Sequence, residues 1–203
     1  MGNTVRQSLG EFGKQLAMRP RGRQVQEALD RTLRKLPPGG VLVVDFDDVE
    51  MMDYSFADEA LGTLYSRMAA KEYPDRYLVL VVSDDEVSEA LLENVEVALS
   101  QREVAALVLP RSMITAEGIK PSTADGAAQW RVIGRLPEHL IDTLGAVMGK
   151  DLVTVRDLVE ALSLESVTAC NNRIAKLYQL HLVRRKASVV PEGGRQYCYS
   201  SVV

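Results

Sequence analysis

A short apolar run, Val41 to Val44, constrains the fold of this chain more than any other stretch. It consists mainly of β-branched residues and follows a Pro37-Pro38-Gly39-Gly40 turn. An uninterrupted run of this kind predicts a strand that is buried on both faces, as in a mainly parallel sheet. Two further runs, Tyr77 to Val82 and Ala105 to Leu109, have the same character. The chain therefore requires a sheet with both faces covered.

Amphipathic segments separate these runs. Residues Arg21–Leu36 carry apolar side chains at helical spacing, and a helix that ends near Leu99 is predicted to begin at Ser83 or Asp84. The pattern of residues 4–18 predicts one or two short strands, or an extended segment that leads into the first helix. Strands that alternate with helices indicate an α/β domain with a mixed or mainly parallel sheet and flanking helices.

The loop after the first buried strand is strongly acidic. It carries Asp45, Asp47, Asp48, Glu50 and Asp53. An apolar strand followed by Asp-x-Asp resembles the opening of haloacid-dehalogenase-type phosphatases, and a phosphatase of this type stays an alternative function. The Gly-Thr pair that should follow is absent, and Mg²⁺ requires carboxylates that converge on one point. We therefore expect a non-enzymatic protein with no catalytic residue, no metal site and no cofactor.

The run VVDFDDVEMMDYSFADE, which ends at Glu59, resembles the hallmark of the STAS-like family, a set of bacterial domains similar to anti-sigma-factor antagonists. The resemblance covers roughly residues 5–110. Upstream residues also match the N-terminal part of that family: Gly13, Leu16, Arg19, Gly22 and Arg23. It implies a STAS-like α/β fold and a partner-binding or regulatory surface, which would comprise Asp53, Tyr54, Ser55 and Asp58.

Ser55 has two interpretations. It occupies the position of the serine that a partner kinase phosphorylates in antagonist domains, although Tyr54 and Phe56 depart from the Asp-Ser-Ser-Gly motif. A phosphate there would act as a repulsive switch beside Asp53, Asp58 and Glu59. Ser55 and Asp58 also have the spacing of a capping box, which predicts that Ser55 is the N-cap of the next helix.

The C-terminal third has a different pattern. It predicts helices over Pro137–Met148, Thr154–Leu162 and Ser166–Leu180, followed by a basic hairpin around a Pro191-Glu192-Gly193-Gly194 turn. Thr154 and Asp157 again form a pair of capping-box type. Three helices and a hairpin resemble a winged helix-turn-helix domain of α+β class, and TACNNRIAKLYQLHLVRR is similar to its recognition helix and wing entry. His181 stands where glycine is usual.

This resemblance predicts a surface for duplex DNA. Residues 168–195 contain six basic residues and one acidic residue, a net charge of +5. The third helix would offer polar side chains to base edges and phosphates, and the basic side chains of the hairpin would contact phosphates. The predicted DNA-binding residues are Thr168, Asn171, Asn172, Arg173, Lys176, Arg184, Arg185, Lys186 and Arg195.

These patterns predict a STAS-like domain over residues 1–110, a connector over residues 111–135 and a winged helix over residues 136–203. The predicted function is a transcriptional regulator that binds duplex DNA and whose N-terminal domain senses a signal or binds a regulatory protein. The alternative is a protein-interaction module, an antagonist of a regulatory kinase or anti-sigma factor, whose winged helix docks proteins. We expect a cytoplasmic protein with no membrane association. Formation of a homodimer is a further possibility that the sequence leaves open.

Overall fold

The computed structural model describes residues 4–115, 118–119, 130–148, 150–189 and 195–203. The N-terminal part contains a five-stranded sheet and its helices. Its strands are β1 Thr4–Ser8, β2 Gln15–Leu16, β3 Val41–Asp45, β4 Met51–Met52, β5 Tyr77–Val82, β6 Ala105–Pro110, β7 Ile114–Thr115, β8 Gly118–Ile119 and β9 Arg131–Gly134. Its helices are α1 Arg19–Lys35, α2 Tyr54–Ala57, α3 Thr63–Ala69 and α4 Glu86–Gln101.

The main sheet has the strand order β1-β3-β5-β6-β9. The first four strands are parallel, and β9 runs antiparallel to β6. Strand order follows chain order, so right-handed connections place α1, α2, α3 and α4 on the same face of the sheet. Every residue of β3 and β5 is buried. The expectation of a mixed, mainly parallel α/β sheet with flanking helices is confirmed.

Most predicted strands agree with the structure to within one residue. The strand predicted over Tyr77–Val82 has these bounds, while β3 and β6 each extend one residue further than predicted. Strand β9 pairs with β6 and completes the sheet. The cap of α4 was predicted wrongly, because Asp85, rather than Ser83 or Asp84, accepts a hydrogen bond from Ser88 N.

The C-terminal part consists of three helices and a three-stranded antiparallel sheet with the order β10-β12-β11. Leu144, Leu158, Ile174, Leu177 and Val183 are fully buried in its core. The capping box predicted at the second helix is present in full. The elements are α5 Glu138–Met148, β10 Val153–Thr154, α6 Val155–Ala161, α7 Val167–Gln179, β11 Val183–Val189 and β12 Arg195–Ser201.

The C-terminal part contacts the main sheet at the end where its parallel strands begin. Arg184 of β11 donates to the carbonyl oxygen of Gly39, which lies just before β3. The side chain of His181 contacts the carbonyl oxygen of Arg76, which lies just before β5. The acidic loop lies at the opposite, carboxyl end of the same strands. None of the helices in the described ranges has the length and apolar character required to cross a lipid bilayer.

Candidate functional site

The first two carboxylates of the acidic loop belong to an ion-pair cluster. Asp45 is fully buried, and its two carboxylate oxygens lie 2.5 Å from Arg6 Nη2 and 2.5 Å from Arg111 Nη2. Arg111 Nη1 also lies 2.5 Å from the carboxylate of Asp47. The hydrogen bond and charge of Arg111 lower the pKa of Asp47. This cluster joins β1, β3 and the segment after β6.

The cluster changes the chemistry that Asp45 and Asp47 can offer. Each carboxylate is neutralised by a guanidinium group, whereas a phosphatase needs free carboxylates to hold Mg²⁺. Across the described ranges, no three His, Cys, Asp or Glu side chains are grouped as metal ligands would be. The cluster therefore has the composition of a structural ion network.

Asp53, rather than Ser55, caps the helix of the central stretch. Asp53 Oδ1 accepts a hydrogen bond from Phe56 N at 2.7 Å, and α2 begins at Tyr54. The other oxygen of Asp53 accepts from Met18 N at 3.0 Å. The predicted capping box of Ser55 and Asp58 is therefore wrong, because α2 begins one residue before Ser55. Both carboxylate oxygens of Asp53, a predicted partner-binding residue, accept hydrogen bonds from backbone amides.

Asp58 and Glu59, the last two residues of the hallmark run, pair with basic side chains. Asp58 is buried and lies 2.6 Å from Arg102 Nε and 3.0 Å from Arg19 Nη1. Burial alone would raise the pKa of Asp58, but the hydrogen bonds and charges of Arg102 and Arg19 outweigh it and lower the pKa. Glu59 pairs with Arg23 at 3.1 Å and with Arg19 at 3.4 Å.

These ion pairs give a structural reason for the upstream residues Arg19, Gly22 and Arg23, which the sequence groups with the hallmark run. Arg19 and Arg23 in the first turns of α1 provide the cations, and Gly22 between them permits the close contact. A Cβ atom at Gly22 would lie 2.9 Å from the carbonyl oxygen of Phe56, which no ordinary side chain allows. The predicted regulatory residue Asp58 therefore belongs to the packing between α1 and the hallmark segment.

Three of the four predicted regulatory residues, Asp53, Tyr54 and Ser55, are half-buried, and Asp58 is buried. The hydroxyl of Tyr54 contacts Gln101 Oε1 at the end of α4. The arginines that pair with Asp58 and Glu59 also offset the negative charge near Ser55. A phosphate on Ser55 would therefore meet weaker repulsion than the sequence suggested.

Most of the predicted DNA-binding residues on α7 lie on one exposed face. Thr168, Asn171, Asn172 and Lys176 are exposed, while Cys170, Ile174 and Leu177 are buried on the opposite side. The predicted helix from Ser166 corresponds to α7, which Ser166 caps through a hydrogen bond from Ala169 N. Arg173 is half-buried, and its guanidinium points toward the carbonyl oxygen of His139 on α5.

The basic residues of the hairpin do not form one patch. The guanidinium of Arg185 lies 4.2 Å from the ring of Tyr178 on α7 and 4.3 Å from the ring of Tyr197. Arg185 is therefore exposed on the same side as α7. Lys186 is exposed on the other side of the hairpin, because successive strand residues alternate. The side chain of Arg195 lies outside the described residues.

Arg184 lies in a different place from the one predicted. Its guanidinium donates to the carbonyl oxygens of Gly39 at 2.6 Å and Val202 at 3.0 Å, and lies 4.9 Å from the ring centre of Tyr77. Burial lowers the pKa of Arg184. Both carbonyl contacts are internal to the protein, so Arg184 joins the C-terminal part to the sheet and is not free to contact DNA.

His181 also joins the two parts. Its Nδ1 lies 2.7 Å from the carbonyl oxygen of Arg76, and its Nε2 lies 2.9 Å from that of Met68. Burial lowers the pKa of the imidazole, while the two carbonyl oxygens act in the opposite direction. The backbone of His181 has a φ of 58°, the left-handed conformation in which glycine is most common. The unusual residue in the bend between α7 and β11 was therefore the sequence signal for this contact.

A cleft of about 600 Å³ separates α7 from the turn before β5. Asn172, Lys176 and Arg185 form one wall, and Lys71 and Asp75 form the other. The floor includes His181. The polar face of α7 and the Arg185 side of the hairpin therefore meet at one surface, which the N-terminal part extends. Sequence reasoning missed Lys71, because nothing in its local pattern relates it to a helix one hundred residues away.

Comparisons with known proteins support part of this description. The model of a family described as a STAS-like domain of unknown function (DUF4325) matches residues 25–75, about a quarter of the chain. This stretch contains β3 and the hallmark run, and the chain is similar to that family there. No curated protein matches the sequence.

A search of solved structures finds the Aeropyrum pernix Orc1 protein in complex with DNA. The alignment covers 100% of this chain and 75% of that chain, with 12% sequence identity and a TM-score of 0.29. A likeness at this level carries no argument about the fold or the function of the present chain.

Proposed function

We propose that this chain is a non-enzymatic regulator that binds duplex DNA through its C-terminal part, with the STAS-like region as a partner-binding or sensing unit. The observation that carries the proposal is the shared surface of α7 and the hairpin, where Arg185 lies against Tyr178 and lines the same cleft as Asn172 and Lys176. Three helices followed by a hairpin are the arrangement that a winged helix uses to place one helix in the major groove.

The exposed side chains divide into two proposed roles. Asn171, Asn172 and Thr168, in the N-terminal half of α7, would reach base edges. Lys176 and Arg185 would neutralise phosphates on either side of the groove. Lys186 is exposed on the other side of the hairpin and is not part of this surface. Arg184 has no place in this surface, because its guanidinium is committed to internal carbonyl oxygens.

The proposal includes a regulatory surface around Tyr54 and Ser55. It lies at the carboxyl end of the parallel strands, whereas the C-terminal part contacts the other end. A partner could therefore bind there without covering α7. Catalysis is not part of the proposal, because the carboxylates that a phosphatase would require are each paired with arginine.

Charge removal at Arg185 tests the proposed interface. We expect Arg185→Ala in the full-length chain to weaken binding to all duplex sequences, and Asn172→Ala to relax sequence preference at a cost of about 1–3 kcal/mol for the preferred site. Arg31→Ala is the matched control, because Arg31 is an exposed arginine on α1. Gel-shift titrations give the affinities. Equal losses in Arg185→Ala and Arg31→Ala would contradict a defined interface.

A further inference from the structure

The cleft between α7 and the turn before β5 has the properties of a ligand site in its own right. Its volume of about 600 Å³ lies within the range of roughly 300–1,000 Å³ that is usual for small-molecule sites. The residues of its two walls come from different parts of the fold, as is common for ligand sites between structural units.

Positive charge dominates the walls of the cleft. Lys71, Lys176 and Arg185 contribute three cations, and Asp75 contributes one carboxylate. Among the described residues, none of the three cations forms a salt bridge with a carboxylate. Most of the other exposed arginines of the N-terminal part do form such pairs, including Arg23, Arg34 and Arg131. Cations that converge without counter-ions attract an anion, and a concave surface strengthens that field.

The cleft also has a rigid floor and polar groups for orientation. His181 is held by the carbonyl oxygens of Arg76 and Met68, so the floor is anchored to the sheet. The amide of Asn172 is exposed at the wall, and the carboxylate of Asp75 accepts a hydrogen bond from the Tyr77 hydroxyl at 2.9 Å. An anion bound by the three cations would therefore have a hydrogen-bond donor, the Asn172 amide, and a hydrogen-bond acceptor, the Asp75 carboxylate, nearby.

We propose that this cleft binds a small phosphorylated organic molecule of about mononucleotide size. Its phosphate groups would lie between Lys71 on one wall and Lys176 and Arg185 on the other, and Asp75 would accept from a hydroxyl or amino group of the ligand. Because Lys176 and Arg185 also belong to the proposed DNA interface, the bound ligand would weaken DNA binding. The ligand site itself rests on the cleft and does not require that the chain binds DNA.

Isothermal titration calorimetry of the full-length chain with ATP as the probe tests this site. We expect saturable binding at one site, and a loss of about tenfold or more in affinity for Lys71→Gln and for Lys176→Gln, as for a lost charge-assisted contact. Lys35→Gln is the control, because Lys35 is an exposed lysine on α1, away from the cleft. Unchanged melting curves would show that both cleft variants are folded.

The outcomes separate the ligand from DNA as the source of the phosphate. No saturable ATP binding, or equal weakening by Lys35→Gln and Lys71→Gln, would overturn the proposal. Weaker duplex binding by Lys71→Gln in a chain that does not bind ATP would assign these cations to DNA and would also overturn it. ATP binding that depends on Lys71 and Lys176 would support the site, whether or not the chain binds DNA.

Discussion

At the residue scale, the central stretch depends on one aspartate. Asp53 uses one carboxylate oxygen for the Phe56 amide and the other for the Met18 amide, so it fixes both the start of α2 and the approach of the chain to α1. Ser55 has no such role. A cap whose second oxygen also serves a distant segment is more costly to lose than an ordinary cap.

Two alanine variants test this assignment. Asp53→Ala should lower the free energy of unfolding by about 1–2 kcal/mol, the upper part of the range for a lost N-cap. Ser55→Ala should change it by less than about 0.5 kcal/mol, as for a substitution away from special features. Urea denaturation measures both. A larger loss in Ser55→Ala than in Asp53→Ala would return the capping role to Ser55.

At the element scale, a π-helical turn positions the buried carboxylate. Residues Asp58–Gly62 form this turn between α2 and α3, and it brings both of its terminal residues against Arg102 at the end of α4. A Cβ atom at Gly62 would lie 2.8 Å from Arg102 Nε, so a glycine permits the ion pair. Irregular turns of this kind interrupt helices where a side chain must be placed out of the regular pattern.

The Asp58 ion pair should make part of the stability dependent on pH. Its pKa is lowered in the folded chain, so its contribution is fully present above the unfolded value of about 4 and is lost as the pH falls through the folded value. Arg102→Ala should lower the free energy of unfolding by roughly 1–3 kcal/mol at neutral pH. The loss is limited to this range because Arg19 still pairs with Asp58.

Urea denaturation at neutral pH and at the lowest pH where the chain stays folded gives this dependence. The difference in stability between wild type and Arg102→Ala should narrow as the pH falls toward the lowered pKa of Asp58, since protonation removes the charge that Arg102 stabilises. Arg135→Ala is the control, because Arg135 pairs with Glu103 on the exposed surface. A difference that is constant with pH would show that Arg102 acts through packing alone.

Sequence patterns predicted the elements because helix and strand periodicity is local. The runs over β3, β5 and β6 and the apolar face of α7 needed no tertiary information. The N-cap of α2 could not be identified from the local sequence, because Asp53 and Ser55 are both residue types that commonly cap helices. The additional hydrogen bond from Met18 N to Asp53 distinguishes the two. The partners of Asp45 are 39 and 66 residues away in sequence, so no spacing rule could have found them.

At the scale of the whole molecule, the two parts are joined through backbone carbonyls. His181 and Arg184 reach three such oxygens of the N-terminal part, those of Gly39 before β3, Arg76 before β5 and Met68 in α3. A basic residue at the start of a hairpin has the sequence pattern of a phosphate contact, so the sequence predicts that Arg184 binds DNA. The contact between the two parts shows that its guanidinium binds internal carbonyl oxygens.

Loss of Arg184 should loosen this junction without unfolding either part. In Arg184→Ala, we expect faster amide exchange at Gly39 and Gly40 and over residues 181–184, with little change in the centre of β5, because local opening costs less than global unfolding. Hydrogen–deuterium exchange with mass spectrometry measures this. Lys186→Ala is the matched control on the same strand. Equal exchange in the two variants would show that Arg184 does not hold the parts together.

Binding of the full-length chain to duplex DNA as a function of salt tests the central proposal most directly. If Lys176 and Arg185 neutralise phosphates, the logarithm of the binding constant should fall linearly with the logarithm of the salt concentration. The slope should be about −0.9 for each phosphate contact, or roughly −2 for these two side chains. Fluorescence anisotropy with labelled duplexes gives this slope. Binding that does not change with salt, or no binding at low salt, would contradict the proposal.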